Sequence, residues 1–260
     1  MRVIETRSFQ FREFDSPADL RAASPNGYAI LSHRWAKAEH EISFTQYQTF
    51  FHASGEGQVK SEHHPWLFGP PHVDYGIDVG IEKIGWLCYL ARRNSIDFAW
   101  IDTCCLRRED VQEVEQSINN MFDWYRGATV CYTYLFDVEV LPRDTPHPVS
   151  QAYNEHNNAM MVNQVRDSIW FKRAWTLPEL LASRSITFLD RHWNIIGEKA
   201  DQSEQISLAS GIDSRYLEAD NFRTASLATK QGWIANTTAG VTEDKIYCML
   251  GVFGIRMDIR

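Results

Sequence analysis

No window of the 260-residue chain approaches the roughly 18 consecutive apolar residues that a membrane-spanning helix requires. The first residues, Met1-Arg2-Val3-Ile4-Glu5-Thr6-Arg7, also lack the apolar stretch of a secretory leader. These two absences predict a soluble cytoplasmic protein with no membrane partner. Glycine and proline are sparse, at 14 and 9 residues, which excludes collagen-like and Pro/Gly-rich disordered chains. Basic residues are outnumbered, 26 Lys and Arg against 34 Asp and Glu, for a net charge of −8. General nucleic-acid binding, which needs clustered cations against phosphate, is therefore not expected, although a few local arginines suffice for a small anion. The five cysteines, Cys88, Cys104, Cys105, Cys131 and Cys248, form an odd set without C-x-x-C spacing, mostly inside apolar runs. They read as reduced core thiols, with the adjacent Cys104-Cys105 pair as an alternative redox or nucleophilic site that has no base near it in sequence. Also missing are G-x-G-x-x-G, a Walker loop, G-x-S-x-G and H-E-x-x-H, so the common nucleotide-binding, hydrolase and metalloprotease signatures are absent.

What the chain does have is apolar bulk: 44% hydrophobic residues, with 9 Trp, 10 Tyr and 14 Phe, enough for a sizeable core. Short apolar runs at Tyr28 to Ser32, Phe98 to Ile101, Ala128 to Phe136 and Ser185 to Leu189 have the length and β-propensity of strands. Between them lie segments of helical period. Ile81, Ile84, Leu87, Cys88 and Ala91 share one helix face, and Val111, Val114, Ile118, Met121, Phe122 and Tyr125 share another, with Gly127 as its stop. A further helix falls within Trp170 to Ala182. Strands alternating with helices predict right-handed crossovers and a mostly parallel sheet with helices on both faces. Residues from about Thr45 to Gly80 are rich in Gly, Pro and His and read as a long loop or insertion. The expected organisation is an α/β core over residues 1–196 with that insertion, then a helical C-terminal extension over 197–260. The chain stops directly after the apolar Gly251 to Ile255, which predicts further domains beyond it.

Ligands of such sheets gather beyond the carboxyl ends of the strands. In this sequence those positions hold Ser32-His33-Arg34-Trp35, the stretch Asp102 to Arg108, and Lys172-Arg173 with Trp175. Guanidinium pairs with phosphate and indole stacks on bases, so the set suits a nucleotide; equally, each Arg could pair with a surface carboxylate and each Trp pack under a helix. Asp102 is either a polar group at the sheet edge or a helix N-cap. Glu179 also has two readings, since Thr176-x-x-Glu179 is a capping box in which the carboxylate would only return a hydrogen bond to the Thr176 backbone. His63-His64 with His72 offer imidazoles for a metal, but their Pro-rich setting supplies no rigid geometry, and no metal is expected.

Three blocks together resemble the fungal HET (heterokaryon incompatibility) domain: Tyr28 to Trp35 (YAILSHRW), Trp100 to Cys105 (WIDTCC) running on through Asn120 to Tyr125 (NMFDWY) to Leu135, and Trp170 to Leu180 (WFKRAWTLPEL). A late segment, Thr242 to Phe253 (TEDKIYCMLGVF), is similar to the closing stretch of HET domains that precede NACHT-type receptors. Two positions depart from the family pattern, Ala36 in place of Gly and Pro178 in place of Gln. HET domains are in turn similar to Toll/interleukin-receptor (TIR) domains, and Ile30 to Arg34 and Trp175 to Leu180 are the counterparts of the TIR runs F-L-S-(Y/F)-R and W-C-x-x-E-L.

The resemblance implies a TIR-like, flavodoxin-like fold and a cell-death effector in fungal nonself recognition and innate immunity. In catalytic TIR domains the matching Glu drives cleavage of the nicotinamide–ribose bond of NAD, which gives Glu179 the catalytic part here. Ser32, His33, Arg34, Trp35, Asp102, Cys105, Arg173 and Trp175 become the substrate-binding set. NAD or a related dinucleotide would be substrate rather than cofactor, self-association would complete the site, and NACHT-type or other signalling domains would follow in the chain. The alternative is a non-enzymatic module that signals by self-association.

Overall fold

The computed structural model describes residues 1–52, 79–140, 160–218 and 220–258. Seven strands hydrogen-bond in the order β2-β1-β4-β3-β5-β6-β7: β1 (Arg2–Glu5), β2 (Phe11–Glu13), β3 (Tyr28–His33), β4 (Phe98–Trp100), β5 (Val130–Tyr134), β6 (Ile186–Leu189) and β7 (Ile195–Glu198). The helices are α1 (Pro17–Ala23), α2 (Phe44–His52), α3 (Val79–Arg93), α4 (Val111–Gly127), α5 (Thr176–Ala182), α6 (Ser203–Ser210), α7 (Leu227–Ala235), α8 (Asp244–Tyr247) and α9 (Leu250–Phe253). By its internal contacts the chain forms two compact units whose boundary falls inside β5: Met1–Tyr132 with Arg256–Arg260, and Thr133–Ile255.

In the first unit β3 is buried at all six positions. Successive side chains of a strand point to opposite faces, so burial of all six means both faces are covered, as in a doubly wound sheet. Helix α3 packs on β3 and β4, and α4 is tied to β3 where the Tyr125 hydroxyl donates to the Leu31 carbonyl over 3.1 Å. Strands β3 and β4 run parallel, Tyr28 opposite Phe98. The Thr129 N–H at the start of β5 donates to the Tyr28 carbonyl at the start of β3, which sets these two running in the same sense. The order β4-β3-β5-β6, with the first of these strands in second place, is that of flavodoxin-like sheets. The expected α/β, TIR-like architecture is what the chain adopts. The margins of the sheet were not foreseen: β1 pairs antiparallel with both β2 and β4, and β7 pairs antiparallel with β6.

One reading of the sequence needs correction here. The stretch from Thr45 onward does not begin as a loop, because α2 buries Phe44, Tyr47 and Phe51 at helical spacing. The Tyr47 ring lies 4.5 Å from Phe11, and its hydroxyl donates to the Phe9 carbonyl over 2.7 Å. The remainder of that expected insertion, including His63, His64 and His72, lies outside the described residues. Helix α4 does end at Gly127, as expected, but not through a left-handed residue. This glycine is the last helical residue, Ala128 is the cap, and a Cβ at Gly127 would meet Pro17 at 2.9 Å and the Tyr28 hydroxyl at 3.0 Å, so glycine here serves a close approach.

In the second unit β6 and β7 form a hairpin whose turn is organised by the fully buried Asp190, which accepts from the N–H groups of His192 and Asn194 over 2.8 and 2.9 Å. The helix expected within Trp170 to Ala182 is α5, which starts at Thr176, and Ile169–Lys172 before it form a 3-10 turn. Helix α9, from the late family-like segment, packs against α5.

Candidate functional site

Strand β3 ends in Ser32 and His33, both buried, and the chain then turns outward at Arg34 and Trp35. Arg34 is exposed and Trp35 half-buried. Asp102, just past β4, accepts the Trp35 indole N–H at Oδ2 over 2.7 Å. The Arg108 guanidinium lies over the same ring, 3.4 Å from its centroid, and donates to the Asp102 carbonyl over 3.3 Å. One face of Trp35 is therefore covered by a cation and its edge is held by a carboxylate. Burial pushes the Asp102 carboxyl up, partly opposed by the Arg108 charge and the indole hydrogen bond.

Behind this edge stand two residues that the sequence reading did not single out, Glu41 and Lys83. Lys83 pairs with Glu41 through Nζ and Oε1, with both side chains buried. His33 lies between two carboxylates, with Nε2 3.8 Å from Glu41 Oε1 and Nδ1 3.9 Å from Asp102 Oδ1. The signal for Lys83 was present in sequence: it falls on the apolar face of α3, four residues before Leu87, where an ammonium is tolerated only with an anionic partner. That the partner is Glu41 follows from Gly80, because a Cβ there would meet the Ile42 backbone nitrogen at 2.6 Å. Glycine lets the first turn of α3 settle onto residues 41–42.

Cys105 is fully buried, and its carbonyl accepts from Arg2 over 3.1 Å. Ala36, which replaces the family glycine, is not among the residues with positive φ, so this backbone does not require glycine. The structure thus brings His33, Trp35 and Asp102 together in the first unit.

The second unit holds Arg173, Trp175 and Glu179. The strand-like bridge between Arg173 and Thr238 fixes the approach to α5: the Ala174 N–H donates to the Thr238 carbonyl over 2.9 Å, and the Thr238 N–H to that of Lys172 over 2.6 Å. Lys172 donates from Nζ to the Ala209 carbonyl over 3.0 Å, at the end of α6. Arg173 and Trp175 are half-buried. Every residue of α5 is buried, and Glu179 is 8% exposed.

The capping box expected from Thr176-x-x-Glu179 does not form. Trp175 is the N-cap and makes no side-chain capping bond, while the Thr176 hydroxyl lies against the carbonyls of Trp170 and Arg173 at 2.5 and 2.9 Å. Pro178 is the third residue of α5, in the first turn where no intrahelical N–H bond is lost. At the other end Lys199, itself buried, donates to the carbonyls of Leu180 and Ser183 over 2.7 and 3.0 Å and caps the helix. Near Glu179 lies Cys248, whose thiol is pushed up to about 12, chiefly by burial, with smaller contributions from the Asp244 and Glu179 carboxylates.

Among the described residues no group of three His, Cys, Asp or Glu side chains could hold a metal ion, and no helix is long and apolar enough to cross a membrane. No solved structure matches the chain. A curated relative, the vegetative incompatibility protein HET-E-1 of Podospora anserina, is 28% identical over 241 residues, which cover 93% of this chain and 15% of that protein. This chain therefore corresponds to a small part of its relative. The model of the heterokaryon incompatibility protein (HET) family matches residues 28–179, from the first residue of β3 into α5. That span covers more than half of the chain, and the protein belongs to the HET family.

Proposed function

We propose that this chain is a cell-death effector domain of fungal nonself recognition and innate immunity, acting in the cytoplasm. In this reading it cleaves the nicotinamide–ribose bond of NAD or a closely related dinucleotide when attached receptor domains, such as the NACHT type, gather copies of it. Family membership and the name of the Podospora relative support the incompatibility setting. One observation carries the enzymatic part: Glu179 is buried on a short helix whose start does not use it as a capping-box partner. A carboxylate is costly to bury, and this one stands at the position that the resemblance to catalytic TIR domains assigns to catalysis.

The chemistry needs little more than this charge. Nicotinamide departs as a neutral base, so no general acid is required, and the ribosyl group passes through an oxocarbenium-like state that water captures at the anomeric carbon, with loss of a proton to solvent. The Glu179 carboxylate stabilises that positive charge and accepts from the ribose hydroxyls. In the second unit, beside Glu179 in sequence, Arg173 is assigned the diphosphate and Trp175 a planar ring. In the first unit, Arg34 and Trp35 are assigned a phosphate and a planar ring of the ligand in their own right. Asp102 supports Trp35 with His33 beside it, and Ser32 and Cys105 are buried near the strand ends.

The test is Glu179→Gln, which removes the charge and keeps the shape. NAD loss is followed over hours with concentrated or artificially clustered protein, beside toxicity in the host cell. The folded Gln variant is expected to lose turnover by about a hundredfold or more, the scale of removing one transition-state stabiliser, and to lose toxicity with it. Full toxicity in a folded Gln variant would overturn the hydrolase and leave signalling by self-association as the function.

A further inference from the structure

From the contacts behind Trp35 we infer that the buried Lys83–Glu41 pair is a positioning device for residues 34–36, the segment that presents Arg34 and Trp35 to ligand. The inference rests on the proposed reading for the identity of that ligand, and on geometry alone for the bracing. Three consecutive residues are each held by a different charged side chain. The Arg34 carbonyl accepts from Lys83 Nζ over 3.3 Å. The Trp35 indole N–H donates to Asp102 Oδ2 over 2.7 Å. The Ala36 N–H donates to Glu41 Oε1 over 2.7 Å. The oxygen that takes the Ala36 N–H is the one that Lys83 neutralises. A single ion pair therefore fixes the segment at both ends, while Asp102 fixes the ring between them.

Stability alone is a poor reason for such a pair. Taking an ammonium and a carboxylate out of water costs several kcal/mol per ion, and well-packed apolar side chains of similar volume often serve a core as well or better. What the pair supplies and an apolar core does not is a set of directed bonds to backbone atoms. The segment benefits from them, because Arg34 and Ala36 are exposed and bury little of their own surface. A loop already ordered loses less conformational freedom when a ligand arrives, which raises affinity without any contact from Lys83 or Glu41 to the ligand.

The experiment uses the double variant Lys83→Met with Glu41→Leu, which replaces the pair by apolar side chains of similar size and leaves no orphan charge. The single variant Lys83→Met serves as the control in which Glu41 remains buried and unpaired. The thermal midpoint of the double variant is expected to equal or exceed that of the wild type, whereas the single variant falls below both. Against that stable background, amide hydrogen exchange at Trp35 and Ala36 is expected to speed up at least about tenfold, the scale of one lost hydrogen bond, with exchange in β3 unchanged. The KM for NAD is expected to rise about tenfold with kcat held within a few-fold, the signature of lost ground-state ordering.

A double variant that is stable, exchanges at 35–36 like the wild type and keeps its KM would overturn the inference and make the pair purely structural. If the wild type itself neither binds nor turns over NAD, the hydrolase reading fails, and the exchange arm still decides the bracing in either direction.

Discussion

Asp102 keeps one oxygen on the Trp35 indole and the other, Oδ1, buried without a hydrogen-bond partner among the described residues. Burial raises its carboxyl above the ordinary range. For an acid raised in the folded state, stability is fully present below the unfolded pKa and is lost as pH rises through the folded one. At neutral pH the fold thus carries the cost of this ionisation. Asp102→Asn removes the charge while its amide oxygen can still accept from Trp35, so it is expected to stabilise the protein at pH 7 by about 1 kcal/mol. The gain should shrink as the pH is lowered toward the ordinary aspartate value of about 3.9. Urea unfolding across a pH series checks this, and a constant difference between variant and wild type over the whole series would contradict it.

Helix α3 shows how a whole element can be placed by a missing side chain. Its first turn lies on residues 41–42 because Gly80 has no Cβ, and Lys83, one turn on, reaches Glu41 as a result. Gly80→Ala adds a methyl group that meets backbone rather than a yielding side chain. The expected loss is about 1–3 kcal/mol, the cost of overpacking a tight contact, with faster amide exchange at Ala36 as the Lys83–Glu41 pair loosens. Thermal unfolding and exchange measure the two effects.

Legibility in the sequence was also uneven by element. β3, β4, β5 and β6 were readable as apolar runs because buried parallel strands carry few polar residues. The three marginal strands were not: β2 is mostly exposed, β7 buries only Ile196, and β1 has only Val3 and Ile4 buried between half-buried ends. Helix α2 was obscured by the Gly, Pro and His composition that follows it, although Phe44, Tyr47 and Phe51 held the period. In the site, His33 and Asp102 could be found because they end apolar runs. Glu41 and Lys83 are 42 positions apart and meet only through the packing of α3, which no local pattern encodes.

Across the whole chain, all five cysteines are free and buried, distributed over both compact units. Burial raises Cys88 and Cys248 to about 12 and Cys104 well above its usual value. Since the thiolate is the reactive form, Ellman's reagent at pH 8 is expected to find no fast-reacting thiol in the native protein and five after denaturation. A thiol that reacts rapidly in the native protein would show that its neighbourhood opens far more readily than the packed core.

The family signature ends at Glu179, in the middle of α5. Much of what secures that helix lies later in the chain: the Lys199 cap, the Thr238 bridge and the helix at Leu250–Phe253. A recombinant fragment trimmed to the signature would sever α5 after its fourth residue and discard these supports together with β6 and β7. What is recognisable by homology and what can fold cooperatively thus have different borders, and a fragment cut at the former would be inert for reasons unrelated to its chemistry.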